Sequence, residues 1–132
     1  MALAASLAFV WVDARQQREY RRLLGAGDEA LDQGRTLEAI EAFSGALTLK
    51  PDSMIARLMR GETYRRRGES SSAVRDLSEA VSLDPTAPRP LELLGDAYAA
   101  MGQHQTAAVH YVRSLRLDDL APRVVYKLGL AH

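Results

Sequence analysis

Leu94-Gly95-Asp96-Ala97-Tyr98 stands 34 residues after Arg60-Gly61-Glu62-Thr63-Tyr64, and the correspondence extends in both directions. Gly27, Gly61, Gly95 and Gly129 are evenly spaced, and so are Gly34, Gly68 and Gly102. Ala39, Ala73 and Ala107 form a third row, Phe43, Leu77 and Tyr111 a fourth, and Ala46, Ala80 and Ser114 a fifth. Pro51 and Pro85 close two of the units. A fixed period in this range marks a stacked-repeat architecture. Such arrays present surfaces and seldom perform chemistry themselves.

The chain has 132 residues, enough for one compact domain or a short array. Its 17 basic and 17 acidic side chains balance, which removes any bulk pull toward nucleic acid or anionic lipid. It has no cysteine, which excludes disulfides and thiolate metal sites. At 47% hydrophobic residues it is too apolar for intrinsic disorder. The abundance of Ala, Leu and Arg suggests a bacterial source.

Each unit reads as two helical stripes separated by glycine. In the first, Leu23, Leu24, Ala26, Ala30 and Leu31 recur with helical spacing, Gly34 interrupts, and Leu37, Ile40, Phe43, Ala46 and Leu47 resume it. Lys50-Pro51-Asp52 ends the unit, because the residue before proline is driven out of helical geometry. Asp52 or Ser53 is placed to cap the next helix, and Ser70-Ser71-Ser72 reads as a cap region. Pro88 and Pro90 suit a first helical turn. Gly27, Gly61 and Gly95 fall mid-helix, where glycine costs about 1 kcal/mol against alanine. Repeating that cost in register predicts close approach of a neighbouring helix. Gly34, Gly68 and Gly102 fit the left-handed residue that ends a helix.

Leu94–Tyr98, Arg60–Tyr64, Glu38-Ala39-Ile40-Glu41-Ala42-Phe43 and Lys50-Pro51-Asp52 together resemble the tetratricopeptide repeat (TPR) family. The resemblance implies an all-α, right-handed superhelical solenoid of helix-turn-helix repeats whose first helices line a concave, ligand-binding face. It covers three units, about 20–53, 54–87 and 88–121, with 122–132 as the first helix of a partial fourth repeat or a cap. A repeat cut before its end is the preferred reading there. Leu23, Arg57 and Leu91 replace the family's usual early aromatic, and Arg60 enters a row otherwise held by Ala26, Leu94 and Leu128. Arginine lays its stem along apolar surface, so the fold stands. The third unit ends differently, in Asp118-Asp119 with Pro122.

Residues 1–19 open with twelve almost wholly apolar residues and then turn charged at Asp13, Arg15, Arg18 and Glu19. Twelve residues cannot span a bilayer, which needs about 20. The preferred reading is the trailing part of a membrane anchor, with cytoplasm or cell envelope both open as location. The other is a helix that packs on the first repeat or mediates self-association.

Asp28, Glu62 and Asp96 form a further row directly after the mid-helix glycines. A carboxylate ladder suits a protein or peptide partner carrying basic residues; the competing reading is a merely solvated row. Arg65, Arg66 and Arg89 would sit at its edges, and Leu24, Leu58 and Met59 would supply apolar contact. Arg65 and Arg66 read more readily as members of a structural charge network than as an anion site. One TPR subclass grips C-terminal carboxylates of chaperones with lysine, asparagine and arginine. Leu24, Asp28 and Glu62 occupy corresponding places, so that activity is not expected.

Catalysis, metal and cofactor find no support: His104 and His110 lie six apart, off the spacing that puts two ligands on one face. No phosphate-cradling glycine loop is present. The expected function is a non-catalytic protein–protein interaction scaffold, without nucleic-acid binding. Two alternatives stay open: a self-assembly module, and the regulatory TPR portion of a larger enzyme or membrane-anchored protein.

Overall fold

The computed structural model describes residues 1–118 and 122–131, and these are helical throughout apart from their turns. The helices are α1 (Ala2–Asp32), α2 (Thr36–Leu49), α3 (Met54–Arg66), α4 (Ser70–Leu83), α5 (Pro88–Ala100), α6 (His104–Leu117) and α7 (Pro122–Ala131). The chain divides into two compact units, Met1–Pro51 and Asp52–His132. The distinct turn expected after Asp118, at residues 119–121, lies outside the described residues.

In the first unit α1 packs on α2. Phe43 is fully buried and lies where a Cβ on Gly27 would stand, at 2.5 Å from the ring. Tyr20 is the first buried residue of α1, and Lys50 stands 4.4 Å above its ring. In the second unit α3 pairs with α4, α4 with α5, α5 with α6, and α6 with α7. Leu58, Ala73, Leu77, Ala80, Leu93, Leu94 and Ala97 form its main core, and Ala107, Tyr111 and Val124 bury the junction with α7.

The turn chemistry repeats as the spacing predicts. Gly34, Gly68 and Gly102 have φ of 72°, 77° and 76°, the left-handed region closed to most side chains. The next residue's amide then bonds back to a carbonyl five residues earlier. These bonds are Arg35 to Ala30 at 2.8 Å, Glu69 to Tyr64 at 2.9 Å and Gln103 to Tyr98 at 3.0 Å. Ser53 caps α3, its Oγ accepting from the Ala56 amide at 3.1 Å. The serines at 70–72 are not a cap: they form the first turn of α4, and Glu69 precedes them without a side-chain capping bond.

The mid-helix glycines answer to packing. A Cβ on Gly95 would lie 2.4 Å from the Tyr111 ring, which is 3% exposed and tethered through its hydroxyl to Asp96. That ring has nowhere to go. Gly95→Ala is therefore expected to destabilise the protein by about 2 kcal/mol in urea denaturation, overpacking outweighing the gain in helix propensity. Gly25→Ala, whose Cβ meets nothing within 4 Å, is expected to gain about 0.5–1 kcal/mol. Equal signs for the two substitutions would remove the packing explanation.

The N-terminal segment departs from expectation. No glycine or proline interrupts residues 2–24, so α1 runs unbroken for 31 residues, about 46 Å, across the boundary expected at residue 19. Membrane anchoring is not supported: among the described residues no helix is long and apolar enough to cross a membrane. Asp13, Arg15 and Arg18 enter before the apolar run reaches the required length. Packing on the first repeat is not found either, because residues 1–16 are all exposed.

Candidate functional site

The second unit carries a charged network across α3, α5 and α7, the first helices of its successive repeats. Its centre is Glu92, whose side chain is 1% exposed and holds three cations. Arg123 Nε donates to both carboxylate oxygens at 2.9 Å, Lys127 Nζ to Oε1 at 2.8 Å, and Arg89 stands at 2.9 Å from Oε2. Lys127 also donates to Asp96 at 2.7 Å, and the Tyr111 hydroxyl donates to the other Asp96 oxygen at 2.7 Å. Two pairs one helical turn apart, Glu92 with Asp96 and Arg123 with Lys127, thus face each other between α5 and α7.

Glu62 is buried and bound by its own helix. Arg65 donates to both of its oxygens at 2.8 Å and Arg66 to one at 3.1 Å. Burial raises the Glu62 and Glu92 carboxyls, but the hydrogen bonds and charges of their cations outweigh it, so both titrate below the usual carboxylate range. Burial and the bond to Asp96 push the Tyr111 hydroxyl far up, which keeps it a donor. Asp96 helps raise Arg65, so the α3 and α5 groups share one electrostatic neighbourhood.

The residues expected to bind a partner separate accordingly. Glu62 and Asp96 fall in this network but arrive already neutralised by Arg65, Arg66 and Lys127. Asp28 is exposed and Leu24 half-buried in the first unit. Arg65 is half-buried, Arg66 and Arg89 are exposed, and all three are ion-paired. Met59 is half-buried. Leu58 is core, 8% exposed and packed with Leu77 and Leu93, and is withdrawn as a contact residue.

The basic stretch of α3 resolves into pairs. Asp76, fully buried on α4, receives Arg60 through both oxygens at 2.6 and 2.8 Å and Arg57 at 3.4 Å. Arg67 meets Glu69 at 2.8 Å. Arg60 therefore sits in its apolar row as half of an ion pair. The signal was available: Asp76 occupies the row of Ala42 and His110, so both departures fall in the same repeat. Glu92 and Lys127 were missed because their rows hold Leu58 and Leu93 one repeat earlier; for Arg123 a signal existed, since it follows Arg89 by 34 residues. His110 stacks on Tyr98, rings 5.3 Å apart, and among the described residues no cluster of His, Cys, Asp and Glu is arranged to hold a metal.

Helix pairs of this length, closed by left-handed glycines and packed through mid-helix glycines, agree with a sequence match: the family model described as Tetratricopeptide repeat covers residues 24–88. Residues 24–88 belong to the tetratricopeptide repeat family. Solved TPR structures share the chain's fold. The first TPR of Spaghetti, bound to the HSP90 peptide SRMEEVD, is 22% identical with a TM-score of 0.84, over 86% of this chain and 90% of that one. The Arabidopsis OM64 TPR domain is 14% identical with a TM-score of 0.85, over 89% and 97%. A mutant O-GlcNAc transferase of Thermobaculum terrenum is 26% identical with a TM-score of 0.83, over 89% of this chain but 22% of that one. No curated protein sequence matches significantly.

Proposed function

We propose that the chain is a non-catalytic protein–protein interaction module whose second unit takes an acidic peptide segment along the α3–α5–α7 network. The observation that carries this reading is the charge left after internal pairing. Glu62, Glu92 and Asp96 face five cations, Arg65, Arg66, Arg89, Arg123 and Lys127, which leaves two positive charges. The carboxylates lie beneath, whereas the Arg66, Arg89 and Arg123 side chains are 49%, 47% and 55% exposed. A ligand meets guanidinium groups first, so the basic partner suggested by the carboxylate row gives way to an acidic one. The Spaghetti domain's peptide, ending Glu-Glu-Val-Asp, is an acidic ligand on the same fold.

Fluorescence anisotropy with labelled Glu-rich and Lys-rich decapeptides tests this. The acidic peptide is expected to bind at least tenfold tighter, and to weaken as salt rises. Arg66→Gln with Arg89→Gln leaves each buried carboxylate a cation and is expected to weaken binding at least fivefold. Tighter binding of the Lys-rich peptide would reverse the reading.

Self-association has its own observation. Leu3, Phe9 and Trp11 are 81%, 75% and 64% exposed on one continuous helix, an apolar surface that seldom stays solvated. Light scattering is expected to find the whole chain larger than a monomer and a version starting at Gln17 monomeric. Equal sizes would dismiss this segment as the association surface.

A further inference from the structure

The outer face of α6 departs from the repeat in a consistent direction. Where α2 and α4 carry Glu41 and Arg75, α6 carries Val109; where they carry Ser44 and Ser78, it carries Val112. Val109 gains no core by this, being 57% exposed. With Ala108 and Ala131, the two valines line an open groove of about 540 Å³ between α6 and the end of α7. Arg113 and Arg116 also line it, one helical turn apart and both exposed. Among the described residues neither has an ion-pair partner, unlike Arg57, Arg60, Arg65 and Arg66 of α3 and Arg67 just after it.

We propose that this groove receives an amphipathic helix of a partner protein. Its apolar side chains, at i, i+3 or i+4 and i+7, would lie on Val109 and Val112, with acidic residues beside Arg113 and Arg116. The charge argues for such a helix over the apolar segment of a second copy. Residues 2–12 carry no acid, and in the stretch after them Asp13 and Glu19 are offset by Arg15 and Arg18. Apolar contact would supply most of the affinity and the arginines the choice of partner. The surface is separate from the α3–α5–α7 network and does not depend on it.

The probe is a labelled 18-residue amphipathic helix with leucines at that spacing and glutamates flanking them; a second probe carries lysines in place of the glutamates. The whole chain is expected to bind the glutamate probe at least tenfold tighter than the lysine probe. Val109→Arg with Val112→Ser installs the residues α4 carries at these positions and is expected to weaken binding at least tenfold without lowering the thermal midpoint. Arg113→Glu with Arg116→Glu is expected to invert the preference between probes, while Arg66→Gln with Arg89→Gln leaves it unchanged. Failure to bind either probe, equal binding of both, or full binding by the Val109 and Val112 variant would overturn the proposal. So would self-association that disappears in that variant, which would assign the groove to a second copy.

Discussion

Asp76→Ala is expected to destabilise the second unit by about 3 kcal/mol. Removing one partner of a buried ion pair strands the other, and typical losses are about 3–5 kcal/mol. The lower end applies because Arg60 and Arg57 keep 17% and 25% of their side-chain surface in water and can partly rehydrate. The informative comparison is a transplant. Arg60→Leu with Asp76→His installs the pair that the third repeat carries as Leu94 and His110, and Tyr64 already matches Tyr98, the ring on which His110 stacks. The double variant is expected to recover most of the loss, because it removes the stranded Arg60 charge and gives the position a ring that can stack on Tyr64, as His110 does on Tyr98. Urea denaturation of the single and double variants measures the coupling directly. A double variant less stable than Asp76→Ala would mean that Arg60 contributes through something other than this carboxylate.

Glu92→Gln is expected to cost a similar amount, about 3 kcal/mol, and to act on a defined element. Glu92 joins α5 to α7 through Arg123 and Lys127, so its neutralisation should raise amide hydrogen exchange across residues 122–131 before it affects α3 and α4. Its pH dependence follows from the lowered carboxyl. Because the folded value lies below the unfolded one, about 4.5, the stabilisation is present in full above that value and is lost as pH falls through the folded one. Wild-type protein is therefore expected to lose stability below about pH 4.5 more steeply than Glu92→Gln. The variant retains a smaller acid loss of the same sign, since Glu62 is lowered too. Parallel pH profiles for the two proteins would show that Glu92 is not held ionised by its three cations.

The same network shows where inference from residue type stopped. Asp28, Glu62 and Asp96 share a row, and a row of acids reads as an acidic surface. Whether an acid is available depends on its cations, and that of Asp96 and two of the three held by Glu92 come from α7, 31 and 35 residues along the chain. Lys127 stands in a row that holds Leu93 and Met59, whereas Arg123 follows Arg89 by one repeat, a correspondence the row of acids drew attention away from. Leu58 failed as a contact residue for a related reason: its spacing places it on the first helix of its unit, and only packing against Leu77 and Leu93 puts it in the core.

What could be read without tertiary information was whatever each repeat states locally and then states again. Left-handed glycines at 34, 68 and 102, and glycines at 27, 61 and 95 facing Phe43, Leu77 and Tyr111, are requirements of backbone geometry and sterics. Each admits few residue types, so a period of 34 exposes them. Charge pairing admits many solutions, because long side chains reach partners on their own helix, the next helix or the next repeat. The three-dimensional arrangement therefore decided which acids are satisfied and left Val109 exposed on α6.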